Sequence, residues 1–243
     1  MGILITFLLG IFLLAGVLVV RLARGSKVIE QFSISIALGT MCSLAMIELI
    51  PEIFETFHGK NLLFAGIAVL IGILGLKALD HFIPDHEEGT KEDTQTQENV
   101  VHIGVMSAIA IVLHNIVEGM AVYSLTAESV KVGALVALGV GLHNIPMGML
   151  IYSTLQKDSR KKKILVLGAA AGSTFLGGLL MAWISPVLND FVIGILICLA
   201  LGMLLYIIIF ELIPHLIHSS RKGLSVLGTG IGVIIIIIST FLE

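Results

Sequence analysis

The residues best able to do chemistry in this chain come in two repeated phrases. Leu113-His-Asn-Ile-Val-Glu-Gly-Met120 is echoed by Leu142-His-Asn-Ile-Pro-Met-Gly-Met149, and Glu48-Leu-Ile-Pro-Glu52 by Glu211-Leu-Ile-Pro-His215. On a helix, His114 and Glu118 lie four apart and share one face, offering an imidazole nitrogen and a carboxylate to a common point. His143 and Met147 repeat that spacing. Two such helices brought together supply two imidazoles, one carboxylate and, if Met147 does not simply fill space, a thioether. Imidazole with carboxylate suits zinc and its first-row neighbours, whereas oxygen alone would suit magnesium or calcium. Asn115 and Asn144, a third of a turn further on, could add carbonyl oxygens or orient the ligands.

The elements that must position these residues follow from composition. Of 243 residues, 57% are hydrophobic and 13% charged, with a mean hydropathy of +1.06, far from the make-up of a water-soluble domain. At about 20 apolar residues per crossing, the chain spans a bilayer several times and has little left over. Polar clusters divide it into eight runs: Ile3–Leu22, Ile29–Phe57, Leu62–Phe82, Val101–Leu125, Val132–Leu155, Ile164–Ile184, Phe191–Ile217 and Leu224–Leu242. The fold expected is therefore an all-α polytopic membrane protein of eight transmembrane helices forming one transmembrane domain over residues 1–243. Residues 83–100 read as a disordered cytoplasmic loop, for Pro84 to Asn99 lack apolar residues, and His86 and Glu87 there read as solvated chain. The first run lacks a basic stretch before it and carries Arg21 and Arg24 after it, as a span does and a signal peptide does not.

Charge excludes one class of partner and orients the chain. A net charge of -3 with basic residues confined to short loops gives no face for nucleic acid. Cys42 and Cys198 lie in separate apolar runs, so neither a disulfide framework nor a cysteine-rich metal site is available. Eleven of the 14 Lys and Arg residues fall in the odd-numbered loops, among them Lys157 and Arg160 to Lys163. The positive-inside rule then places those loops in the cytoplasm and both termini outside.

With spans and orientation assigned, each repeated phrase lies on two helices running in opposite directions, the pattern of inverted-repeat transporters whose substrate sits near the midplane. His114 and His143 fall mid-span, Glu48 and Glu52 toward the outer end of the second, and Glu211 and His215 toward the inner end of the seventh. Ionisable groups in hydrocarbon are costly, so a string of them at several depths reads as a pathway, with His218, Asp80 and His81 at its inner mouth. The plainer alternatives are helix-packing hydrogen bonds for the histidines, headgroup contacts for Glu48 and Glu52, and a helix end for Asp80 and His81. Pro51, Pro146 and Pro214 each remove a backbone hydrogen bond inside a span, which can line a cavity or permit hinging.

These residues resemble the ZIP (Zrt/Irt-like) family of divalent metal transporters: eight spans, a variable loop after the third, His-Asn-x-x-Glu-Gly on the fourth and His-Asn-x-Pro-x-Gly on the fifth. The resemblance implies an importer of zinc, iron or manganese, with the ion as substrate and no cofactor. It implies a central metal site taking His114, Glu118 and His143, with Asn115 and Asn144 adjoining, inside inverted-repeat three-helix bundles around a central two-helix pair, often as a homodimer in the plasma membrane. The chain departs from the family pattern at Met147, where many members have Glu, and at Ser173-Thr-Phe-Leu-Gly177, where many bacterial members carry Glu-Pro. Both missing carboxylates would serve a second, adjacent metal, so a one-metal site is expected. With one carboxylate, a bound divalent ion keeps about one net positive charge in a low-dielectric site, which weakens binding.

The expectation is gradient-driven uptake, since no ATP-binding motif accompanies the spans. Two other readings compete with it. An intramembrane metallohydrolase could use a metal held by His and Glu to activate water, though no His-Glu-x-x-His is present. A cation channel could use the same carboxylates.

Overall fold

A computed structural model describes residues 1–24, 26–57, 61–82, 92–156, 158–184, 190–219 and 221–241. His58, His86 and Glu87 lie outside them. All regular structure among the described residues is helical, and eight helices are long and apolar enough to cross a membrane. They are α1 (Gly2–Leu22), α2 (Lys27–Thr56), α3 (Leu62–Phe82), α4 (Glu92–Glu128), α5 (Val130–Thr154), α6 (Arg160–Ile184), α7 (Phe191–Ile217) and α8 (Lys222–Thr240). The eight runs expected from hydropathy are these eight helices. One boundary differs: α4 begins at Glu92, inside the polar segment read as loop, because an acidic start suits a helix N-terminus and nothing there breaks the helix.

Local sequence sets several ends. Ser26 caps α2, its hydroxyl accepting from the Ile29 N–H at 3.4 Å, and Ser129 caps α5 by accepting from the Val132 N–H at 3.4 Å. Ser129 alone separates α4 from α5, so the two helices that carry the histidines must run antiparallel as neighbours. Large apolar side chains such as Leu63, Leu74, Leu165 and Val226 point outward, as they should toward lipid, and Trp183 is exposed at the end of α6.

Packing obeys an inverted two-fold relation. Helix α1 packs on α5 and α6, and correspondingly α6 packs on α4 and α1; α2 packs on α8 and α5, and α7 on α3 and α4. The three-helix units therefore interleave across the α4–α5 pair, each helix finding its main partners in the other half. Glycines make the relation atomic. A Cβ on Gly16 would stand 2.0 Å from the Ile145 carbonyl oxygen and one on Gly148 2.0 Å from that of Leu13. In the other half, Gly177 meets Ile116 and Gly119 meets Thr174 at the same 2.0 Å. Gly39 against Thr229 and Gly232 against Ile36 lock α2 to α8, as Gly202 against Val69 and Gly72 against Leu199 lock α7 to α3. Because lipid is as apolar as leucine, such close backbone approach, and not hydrophobicity, holds membrane helices together.

The repeat extends to an irregularity. Just before Pro51, α2 widens into a π-helical turn, Leu44–Leu49, where the Ile50 N–H reaches back to the Ala45 carbonyl; α7 does the same at Ile207–Leu212, with Ile213 bonding Ile208 ahead of Pro214. A proline has no N–H for the carbonyl four residues earlier, and slipping to a wider turn accommodates that loss. Glu48 and Glu211 occupy equivalent positions in these two turns.

Candidate metal centre

The site is built on α4 and α5 at mid-span. His114 and Glu118, one turn apart on α4, place Nε2 and Oε1 3.2 Å from each other, off the hydrogen-bonding line. From α5, His143 brings its Nε2 to 2.7 Å from the same Oε1. The two imidazole rings stand 6.4 Å apart, tilted by 45°. One nitrogen from each ring and one carboxylate oxygen thus lie within 4.8 Å of one another, close enough to be ligands of a single ion. The glycine contacts explain why the geometry is repeatable. Gly119 and Gly148, five residues beyond the two histidines, lock α4 to α6 and α5 to α1 and so fix depth and rotation on both sides.

Burial bears on what the cluster is for. His114, His143, Asn115 and Asn144 are all buried. Asn115 donates to the Ala170 carbonyl at 3.3 Å, but its Oδ1, both amide atoms of Asn144 and Oε2 of Glu118 have no hydrogen-bond partner among the described residues. Buried polar atoms left unpaired cost free energy and call for an explanation, and a cation with its hydration would supply one. The residues present therefore fit a divalent ion. Met147 is fully buried one turn beyond His143, packed in the main apolar cluster with Leu13, Ile111 and Leu150. Pro146 withdraws an N–H from α5 in the same turn, leaving the Leu142 carbonyl without its helical donor.

The remaining residues separate into groups. Glu48 accepts from Thr240 of α8 at 3.2 Å and lies near enough to act electrostatically on His143, Glu118 and His114. Glu52 is exposed one turn further out, beside Thr56. His215 is half-buried, His218 is exposed with its ring nitrogen 2.8 Å from the Pro214 carbonyl, and His81 is exposed. Asp80 and Glu211 do come together, and with a residue that the sequence reading passed over. His102 of α4 sets its Nε2 2.6 Å from Asp80 Oδ1 and 3.8 Å from Glu211 Oε1. Only the general rule about ionisable groups inside a span could have singled out His102, since it belongs to no repeated phrase.

Comparison with known proteins decides the family. Residues 84–240, which contain every member of the central cluster, match the family described as "ZIP Zinc transporter". The chain belongs to the ZIP family. Among ZIP relatives, the zinc transporter ZupT of Streptococcus mutans is 28% identical over 236 residues, covering 89% of this chain and 87% of that protein. ZupT of Stenotrophomonas maltophilia is 27% identical over 126 residues, 48% of this chain and 47% of that protein, and ZupT of Neisseria meningitidis is 30% identical over 109 residues, 41% and 40%. Against these last two, the match spans less than half of either protein's length. Membership of a transporter family answers the metallohydrolase reading.

Proposed function

We propose that this protein carries a divalent transition-metal ion, zinc before iron or manganese, across the plasma membrane toward the cytoplasm. One observation carries the reading: two imidazoles and a carboxylate, from helices related by inversion, converge on one buried point in mid-span. Supporting it are the zinc-transporter names of the relatives and the unpaired polar atoms of Asn115, Asn144 and Glu118 around that point.

The ion arrives past Glu52 and Glu48, whose negative charge concentrates cations at the outer mouth. It exchanges water for His114, Glu118 and His143, with Asn115 and Asn144 supplying carbonyl oxygens beside them. One carboxylate leaves the ion only half neutralised, which keeps binding weak enough for onward release. It departs past Glu211 and His215 toward His218, Asp80 and His81. The paired π-helical turns before Pro51 and Pro214 flank the centre from α2 and α7, where a change of turn opens one side while closing the other. Basic residues in the odd-numbered loops orient the carrier with both termini outside, and a homodimer is the assembly in keeping with the family resemblance.

Radiozinc uptake into proteoliposomes tests the reading. Intact protein accumulates zinc, and Glu118→Ala brings uptake down to that of protein-free vesicles; equal uptake by both would remove the site from the pathway.

A further inference from the structure

The two ends of the pathway should be alike if the inverted repeat were complete, and they are not. Equivalence is fixed by the glycine contacts. Gly72 on α3 corresponds to Gly232 on α8, so Asp80 corresponds to Thr240, eight residues on in each case (72 to 80, 232 to 240). Through the repeated histidine phrases, His102 corresponds to Lys131, twelve residues before His114 and His143 respectively. Glu211 corresponds to Glu48 in the π-helical turns. The half with its mouth at the basic loops thus holds Asp80, His102 and Glu211 where the other holds Thr240, Lys131 and Glu48. Outside, the set reduces to a single hydrogen bond from Thr240 to Glu48, and Lys131 is exposed. Inside, a second carboxylate and an imidazole replace a hydroxyl and an ammonium, and the three donor atoms lie within 4.8 Å of one another.

We infer that Asp80, His102 and Glu211 form a second divalent-metal site, on the side of the basic loops, that holds the ion more tightly than the central cluster does. The inference rests on reading the chain as a metal carrier and adds a resting point to it. Donor charge gives the order of affinities. Two carboxylates and an imidazole neutralise a divalent ion, whereas one carboxylate and two imidazoles leave it positive. Hydration acts in the same direction. Side-chain exposures of 29%, 16% and 13% for Asp80, His102 and Glu211 leave room for water to complete the coordination, against 4%, 10% and 1% for His114, Glu118 and His143. Geometry has already been prepared. Tyr206 of α7 donates to Asp80 Oδ2 at 2.7 Å and so turns Oδ1 toward His102, making it a positioning residue for the site. A tight inner site draws the ion off the weak central one and, once cytoplasmic metal fills it, slows further passage.

Zinc bound per chain, measured by equilibrium dialysis of the purified full-length protein against zinc chloride, tests this. Intact protein binds two ions. His102→Ala and Asp80→Asn each bind one, and that retained ion shows the variant to be folded. His143→Ala also binds one, about tenfold more tightly than the ion left in His102→Ala. Two ions bound to both His102→Ala and Asp80→Asn, or one ion bound to intact protein and lost in His143→Ala, would overturn the inner site. Two ions bound to His143→Ala would instead count against the central one.

Discussion

Glu48 and Glu211 sit in the same local sequence, Glu-Leu-Ile-Pro, at equivalent positions of two matching π-helical turns, yet they keep different company. Glu48 shares a hydrogen bond with a threonine, while Glu211 faces a histidine and an aspartate. The backbone of each half is set by elements the repeat preserves: glycine contacts, the proline and the wide turn before it. What the carboxylate can do is set by residues that other helices deliver, and there the repeat has been allowed to lapse. A symmetric scaffold can thus carry unlike donor sets at its two ends without any change in helix packing.

The largest effect is expected where the halves are still alike. Gly16→Val and Gly177→Val each force side-chain atoms onto a backbone carbonyl, a clash of about 3 kcal/mol or more, and both should abolish folded protein in a detergent-stability assay. Gly66→Ala, with nothing near its Cβ position, should be recovered normally. Unequal losses at Gly16 and Gly177 would break the symmetry claimed for the scaffold.

Substituting the two carboxylates sharpens the contrast. Glu211→Gln should weaken zinc retention by roughly tenfold, because it removes a ligand charge from a partly buried set. Glu48→Gln should leave equilibrium retention unchanged and instead slow uptake at low zinc and low ionic strength, as the loss of a steering charge does. A bolder variant rebuilds the missing half: Thr240→Asp with Lys131→His should add an ion to the count bound per chain, and an unchanged count would mean that the three positions do not suffice. Tyr206→Phe is the mildest, loosening Asp80 and weakening inner zinc binding by about two- to threefold, the scale of one lost hydrogen bond to a carboxylate that keeps its other contacts.

The eight spans and the His114, Glu118, His143 cluster were legible in the sequence for one reason. Lipid permits few polar residues, so those that occur stand out, and an i,i+4 spacing tells which share a face. Asp80, His102 and Glu211 come from three helices, and no spacing along the chain relates them; the reading therefore put Asp80 at a mouth and Glu211 on a path and passed over His102. The glycine contacts escaped for a related reason. Gly16 or Gly177 is one small residue among 26 glycines until the carbonyl opposite it is known. Pro51 and Pro214 did announce a break in helical bonding, but whether a helix answers with a kink or a wide turn depends on packing.

The most direct test of the central claim is zinc K-edge X-ray absorption on purified protein carrying His102→Ala and Asp80→Asn, so that only the mid-membrane cluster can hold the ion. The account predicts two imidazole nitrogens and carboxylate oxygen at about 2.0 to 2.1 Å from zinc. A shell of oxygen alone, with no imidazole signature, would contradict it.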